Sequence, residues 1–116
     1  MGSVIWNRDD FCHVGDSSKV LKEKIPEGLK VKLFLTDPPY NIGHNYGNVS
    51  DRLKKEEYHE MIKNVLTSAY EVADDSSHFF MIHYPEAIAE MWSMITQDTG
   101  WKFKQWITWA YPSNIG

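Results

Sequence analysis

An α/β fold on a mostly parallel sheet is predicted for this chain by the way two kinds of apolar pattern alternate along it. Runs of strand length, Phe11-Cys12-His13-Val14, Val31 to Thr36 and Phe79 to Ile82, are interleaved with stretches whose apolar residues recur at helical spacing. Turn signals separate each run from the next. Strands separated by helices imply parallel neighbours joined by right-handed crossovers. At 116 residues the chain has room for one domain, 1–116, whose core forms only if most of the elements pack together.

The elements come in this order. Phe11 to Val14 reads as a strand ending at Gly15-Asp16, and Ser17 to Ile25 places Val20, Leu21 and Ile25 on one helical face. Pro26-Glu27-Gly28 is a turn before the strand 31–36, which has the look of a buried parallel strand. Asn41 to Asp51, with Gly43 and Gly47, reads as an irregular loop. From Glu56 the apolar residues Tyr58, Met61, Ile62, Val65, Leu66, Ala69, Tyr70 and Ala73 make an amphipathic helix. Asp74 to Ser77 is a turn, and Phe79 to Ile82 another buried strand. Pro85 suits a first helical position, Ile88, Met91, Trp92 and Ile95 form a stripe, and Gly100 ends the helix. Trp101 to Tyr111 alternates as a strand does, until Pro112-Ser113-Asn114 breaks it.

Composition narrows the classes. Apolar residues at 42% and aromatics at 14% argue for a folded globule, while a net charge of −4 provides no global basic field to attract nucleic acid. The single cysteine, Cys12, excludes an internal disulfide and fits a reducing cytoplasm, where it reads as inert filling of an apolar strand. No signal peptide and no membrane-length apolar run is present, so the expected location is cytoplasmic. The histidines are scattered without metal-ligand spacing, so no metal is expected. Lys19, Lys22, Lys24, Lys30 and Lys32 form a weak basic patch that reads as a solvated face rather than a phosphate track. Trp92, Trp106 and Trp109 read as core or partner burial.

The chemistry concentrates at Asp37-Pro38-Pro39-Tyr40, directly after the strand 31–36. A strand end in an open α/β sheet is where ligands sit. Two successive prolines remove two backbone N–H donors, which leaves the carbonyls of Asp37 and Pro38 as acceptors. A carboxylate, a free carbonyl and an aromatic ring side by side make a receptor for a flat heterocycle carrying an exocyclic amino group.

The arrangement Gly15-Asp16, short helix, Pro-Glu-Gly turn and Leu-Thr-Asp-Pro-Pro-Tyr-Asn-Ile-Gly resembles the N-terminal part of the β-arrangement amino DNA methyltransferases. In that arrangement the catalytic tetrapeptide precedes the glycine-rich cofactor loop. The later helices, the strand after Ser77 and the Trp106-Ile107-Thr108-Trp109 segment also fall in the family's order, so the resemblance covers nearly the whole chain. It implies a partial Rossmann-like methyltransferase fold, incomplete without further strands, and S-adenosylmethionine as cofactor. DNA is the implied partner, with a place in restriction–modification at the nucleoid.

Carried over to these positions, the resemblance gives Asp37, Pro38, Pro39 and Tyr40 the catalytic role. Asp37 and the Pro38 carbonyl would accept from the target amino group and border the cofactor, and Tyr40 would stack on a flipped-out base. Asp in the first position of the tetrapeptide goes more often with adenine N6, and Ser with cytosine N4, so adenine is favoured and cytosine stays an alternative. Asp16 matches a family position that meets the cofactor's adenine. It reads equally as a helix N-cap ahead of Ser17, and the two roles are compatible. Asn41 and His44 stand where they could touch substrate, though a solvated loop accounts for both. His83 could line the same cleft edge or be structural.

The seven glycines, at 2, 15, 28, 43, 47, 100 and 116, nowhere form the Gly-x-Gly loop that closes over the methionine part of the cofactor. Either a C-terminal region or a second polypeptide is then expected to carry that loop and the target-recognition region. The chain alone is expected to be inactive, and its open sheet edge makes an oligomer a further possibility. The rival readings are an RNA base methyltransferase, disfavoured because such enzymes carry the glycine loop upstream, and a non-catalytic structural or DNA-binding subunit.

Overall fold

The computed structural model describes residues 3–7, 10–41, 45–46, 49–50 and 53–112, with side chains at 12–41 and 53–112. Two strands open the chain, β1 (Ser3–Asn7) and β2 (Asp10–His13), paired antiparallel with Ser3 opposite His13 and Val4 opposite Cys12. The strand expected at 11–14 therefore forms, but in a hairpin with its immediate predecessor rather than in the parallel sheet. A short connection lets the two strands satisfy each other's backbone groups locally, with no crossover needed. Cys12 is exposed, not the buried filling expected of it.

Helix α1 (Ser17–Glu23) starts at Asp16, whose carboxylate accepts from the Ser18 amide at 3.0 Å and the Ser18 hydroxyl at 2.7 Å. These bonds hold the Asp16 carboxyl below its ordinary value, the Ser18 hydroxyl contributing most. The next turn closes with the Leu29 amide donating to the Pro26 carbonyl at 3.0 Å, and Gly28 takes the positive φ of 85° that such a turn demands.

Strand β3 (Val31–Thr36) then runs parallel to β6 (Ala73–Met81), with Phe34 opposite Phe79 and Thr36 opposite Met81. Between them lie a small antiparallel ladder, β4 (Asn45–Tyr46) with β5 (Val49–Ser50), and helix α2 (Lys55–Glu71). The loop expected at 41–51 thus contains a ladder; Gly43 and Gly47 lie outside the described residues. The turn expected at 74–77 is present inside β6. Asp74 accepts from the Ser76 amide at 2.9 Å, and the step from Val31 to Leu33 on β3 is matched by the step from Ala73 to His78 on β6. The intervening residues bulge out of the ladder.

Helix α3 (Pro85–Asp98) has proline in its first turn and ends at Gly100, whose φ of 82° is costly for a residue with a side chain. The core sits between α2, α3 and one face of the sheet: Tyr58, Ile62, Leu66 and Met91 are buried, with Phe79, Met81, Met94, Ile95 and Trp101 packed around them. Tyr58, Ile62 and Leu66 recur at every fourth position, which puts them on one stripe of α2. Trp101 locks the lower end: its indole N–H donates to the Leu66 carbonyl at 2.8 Å, and its ring meets Phe34, Phe79 and Tyr70.

Strand alternation sends Leu33, Leu35 and Phe80 to the opposite face, where Leu35 is 72% exposed. The expectation that 31–36 and 79–82 are buried strands is corrected to burial on one face, because among the described residues the parallel sheet has two strands and the core with α2 and α3 covers one of its faces. The strand expected at 101–111 also does not form. Its residues beyond Trp101 are exposed and pair with no ladder among those described. Trp92, Phe103 and Trp106 instead gather on the outer side of α3, and Trp109 is 77% exposed, so these tryptophans are not core. Ser113 and Asn114 lie outside the described residues. Among the described residues no helix is long and apolar enough to cross a membrane, and no group of His, Cys, Asp and Glu could hold a metal ion.

Candidate functional site

The last ladder bond of the parallel sheet is donated by the Ile82 amide to the Thr36 carbonyl at 3.0 Å, and the chain leaves the sheet at Asp37. Pro38 and Pro39 bring no N–H group, so these two residues offer no backbone donor to tie the turn back. Asp37, Pro38, Pro39 and Tyr40 line one open cavity of about 440 Å³ at the C-terminal edge of the sheet. The Tyr40 hydroxyl donates to Oδ1 of Asp37, which fixes the carboxylate against the ring. A carboxylate has about four acceptor sites, so Asp37 keeps acceptor capacity for a ligand.

Three further residues complete the edge. The Tyr58 hydroxyl, from the first turn of α2, donates to the Pro39 carbonyl at 2.5 Å and lies 2.6 Å from Nε2 of His83. The Tyr84 amide donates to Nδ1 of His83 at 2.8 Å. The Tyr40 ring rests between His83, with centroids 5.2 Å apart, and Tyr84, at 4.9 Å and edge-on. Partial burial pushes the His83 imidazole below its ordinary value, opposed by the Asp37 carboxylate, which favours the cation.

The other sequence candidates fall elsewhere. Asn41 takes a positive φ of 61°, which asparagine tolerates, and its amide clasps the backbone of Leu53, donating at 3.1 Å and accepting at 2.5 Å. Its side chain is thus committed to closing the loop beside the cavity. His44 lies outside the described residues. Asp16 caps α1 and borders a different cavity, with Ser18, Glu56, Glu57, Glu60, Met61 and Asn64, so it does not share the cavity of Asp37. Tyr58 and Tyr84 are not singled out by the sequence, and His83 is placed there only as one of two options. A signal exists: a phenol on a buried stripe needs a partner for its hydroxyl, and residues just past β6 share an edge with residues just past β3 when those strands are parallel.

The fold and edge define a class of protein: an α/β domain presenting an acceptor-rich, aromatic turn at a strand end. The DNA methylase family model matches residues 31–116, and the chain belongs to that family, the N6/N4 amino-group DNA methyltransferases. The chain is similar to the type II methyltransferase M.HpaI of Haemophilus parainfluenzae, at 34% identity over 90 residues. That match covers 78% of this chain and 29% of the relative, so the chain spans under a third of that protein's length. No solved structure matches the chain significantly.

Proposed function

We propose that this chain carries the base-binding half of a site that transfers a methyl group from S-adenosylmethionine to the N6 amino group of adenine in DNA. The observation supporting it is the cavity at the sheet edge that Asp37, Pro38, Pro39 and Tyr40 line together. An adenine amino nitrogen is a poor nucleophile because its lone pair is delocalised into the ring. Acceptors aimed at both of its N–H bonds, Asp37 and the Pro38 carbonyl, favour a pyramidal nitrogen with the lone pair available. Tyr40 gives the base a π surface, and the base must leave the duplex to reach it. Exchange of the sulfur–methyl bond for a nitrogen–methyl bond requires the amino nitrogen to lose a proton, and the Asp37 carboxylate would be the negative group beside it. The contribution of these residues is positioning and electrostatic preorganisation.

The donor set also suits the cofactor: the Asp37 carboxylate and the carbonyls of a turn lacking proline N–H groups match the cationic sulfonium and ammonium groups of S-adenosylmethionine. When bound, that cofactor supplies an electrophilic methyl group. Asp37 and Pro38 would hold it from this side, with Asp16 as a more distant contact. The glycine-rich loop and the target-recognition region would come from a second polypeptide or a further region, as the small share of M.HpaI matched here suggests. On this reading 1–116 is one partial catalytic domain.

Transfer of labelled methyl from S-adenosylmethionine to unmethylated DNA tests the proposal, run on the chain alone and with a polypeptide that carries the glycine-rich loop and the target-recognition region. Transfer to adenine by the completed enzyme, abolished by Asp37→Ala, is expected. Retained turnover in Asp37→Ala would refute the assigned role, and product carrying N4-methylcytosine would refute adenine.

A further inference from the structure

We infer that Tyr58 and His83 form a one-way hydrogen-bond relay that positions the Pro39 carbonyl, and with it the whole acceptor turn, for the reaction proposed above. The inference rests on that reading for its function, while the relay itself stands on geometry alone. The Pro-Pro segment has no N–H groups of its own at these positions, so an external donor must hold it. That donor is the Tyr58 hydroxyl, 2.5 Å from the Pro39 carbonyl oxygen.

The contacts among the described residues give each proton of the relay a consistent place. The Tyr84 amide can only donate, so Nδ1 of His83, 2.8 Å away, accepts and carries no hydrogen. A neutral imidazole then carries its hydrogen on Nε2. Nε2–H donates across 2.6 Å to the Tyr58 oxygen, and the single phenolic proton goes to Pro39. Backbone donor, imidazole, phenol and carbonyl thus run in one direction. The same imidazole supports the Tyr40 ring at 5.2 Å, so one side chain braces both ends of the turn.

Protonation of His83 would place a hydrogen on Nδ1 facing the Tyr84 N–H, two donors in opposition. Among the described residues, the groups around the imidazole are Asp37 and Tyr40 from the turn, Tyr58 from α2 and Tyr84 at the start of α3. Of these Asp37 is the charged one and favours the cation, while burial disfavours it more strongly. Tyr58 and His83 are therefore positioning residues, acting through Pro39 and Tyr40 and not on the reacting atoms.

Nitrogen-15 NMR of histidine-labelled protein tests the relay directly. At pH 7.5 His83 is expected as the neutral tautomer, protonated at Nε2 and bare at Nδ1; a hydrogen on Nδ1 would overturn the relay. Kinetics on the methyl-transferring enzyme test its purpose. Tyr58→Phe keeps the ring and removes the hydroxyl, so kcat should fall about tenfold, the worth of one hydrogen bond, with KM for DNA changed less than about twofold. His83→Leu should fall at least as far, because it also removes the imidazole beside the Tyr40 ring. His83→Gln, whose amide nitrogen keeps a donor near Nε2, should retain most of kcat and lose the acid limb of the wild-type pH profile. The Tyr58→Phe/His83→Leu pair should fall no further than His83→Leu alone. Wild-type kcat in Tyr58→Phe, or an unchanged acid limb in His83→Gln, would refute the positioning role. If the completed wild-type enzyme transfers no methyl group to DNA, the proposed function fails, and the NMR tautomer still decides the relay.

Discussion

Asp37→Asn separates the charge of the acceptor from its shape. The substitution keeps the side-chain volume and one acceptor oxygen, so the Tyr40 hydroxyl retains a partner where it now donates to Oδ1. What changes is the other position, which becomes an NH₂ donor and, on the proposed function, would face the N–H bonds of the target amino group. Loss of a hydrogen bond to a charged acceptor is worth about 1.5–3 kcal/mol, or roughly one to two decades in rate. The new donor–donor opposition adds to that. Taken with the typical loss on removing one preorganised polar group, kcat should fall by about 10² to 10³.

A second readout comes from His83. The Asp37 carboxylate raises the affinity of that imidazole for a proton against the effect of burial, so removing the charge leaves burial unopposed. The His83 midpoint should move further down in Asp37→Asn. Single-turnover methyl transfer measures the first effect and an NMR titration of His83 the second. A kcat within about threefold of wild type would refute the acceptor role. A His83 midpoint that stays put or rises would refute the electrostatic geometry of the edge.

Tyr40→Ala should weaken capture of the flipped base by about 1–3 kcal/mol, the usual worth of a base–aromatic stack, measured as affinity for DNA carrying an abasic or mismatched target partner. Tyr40→Phe keeps the stack but releases the Asp37 carboxylate, so affinity should hold while kcat falls several-fold; equal loss of both would argue against separate roles. Gly100→Ala should lower stability by about 1–2 kcal/mol in denaturant unfolding, because φ is 82° and an added Cβ would stand 2.9 Å from the Tyr70 ring. The depressed His83 value makes the unfolded chain take up the proton first. Its contribution is therefore complete above about pH 6.5 and is lost as pH falls through 6.5 toward the folded-state value. Thermal unfolding from pH 7.5 to 5 should show that loss, reduced in His83→Gln.

The elements legible in the sequence are those whose local pattern and tertiary setting agree. Val31–Thr36 is legible to the residue, and α2 and α3 to within one or two, because their stripes are the faces that pack. Asp16 as N-cap, Gly28 in its turn and Gly100 past α3 are readable because each answers a local backbone demand. Misreadings arise where the outcome depends on a neighbour. Alternation at 101–111 gives strand propensity, but a strand needs a partner ladder, and none of the described residues provides one. Phe11-Cys12-His13 requires a choice between an adjacent antiparallel partner and a distant parallel one, which periodicity cannot make. Trp92 sits on a helical stripe wide enough to leave it 37% exposed.

The site is legible only along the chain, as a tetrapeptide, because its other members are joined through topology. In a parallel pair both strands end at the same edge, so the residues after Thr36 must meet those after Met81. The connecting helix runs back against the strands, so its first turn begins at that edge too. Pro39 after β3, Tyr58 in the first turn of α2 and His83 after β6 are thus the three places where a strand–helix–strand unit brings side chains together. A buried phenol at the second of these and an imidazole at the third give that edge a donor it cannot obtain from prolines. The Asp-Pro-Pro-Tyr turn is therefore half of a unit whose other half is written 19 and 25 residues away from its bonding partners Pro39 and Tyr58. Substitutions that preserve the tetrapeptide but remove Tyr58 or His83 should leave the motif intact and its geometry loose.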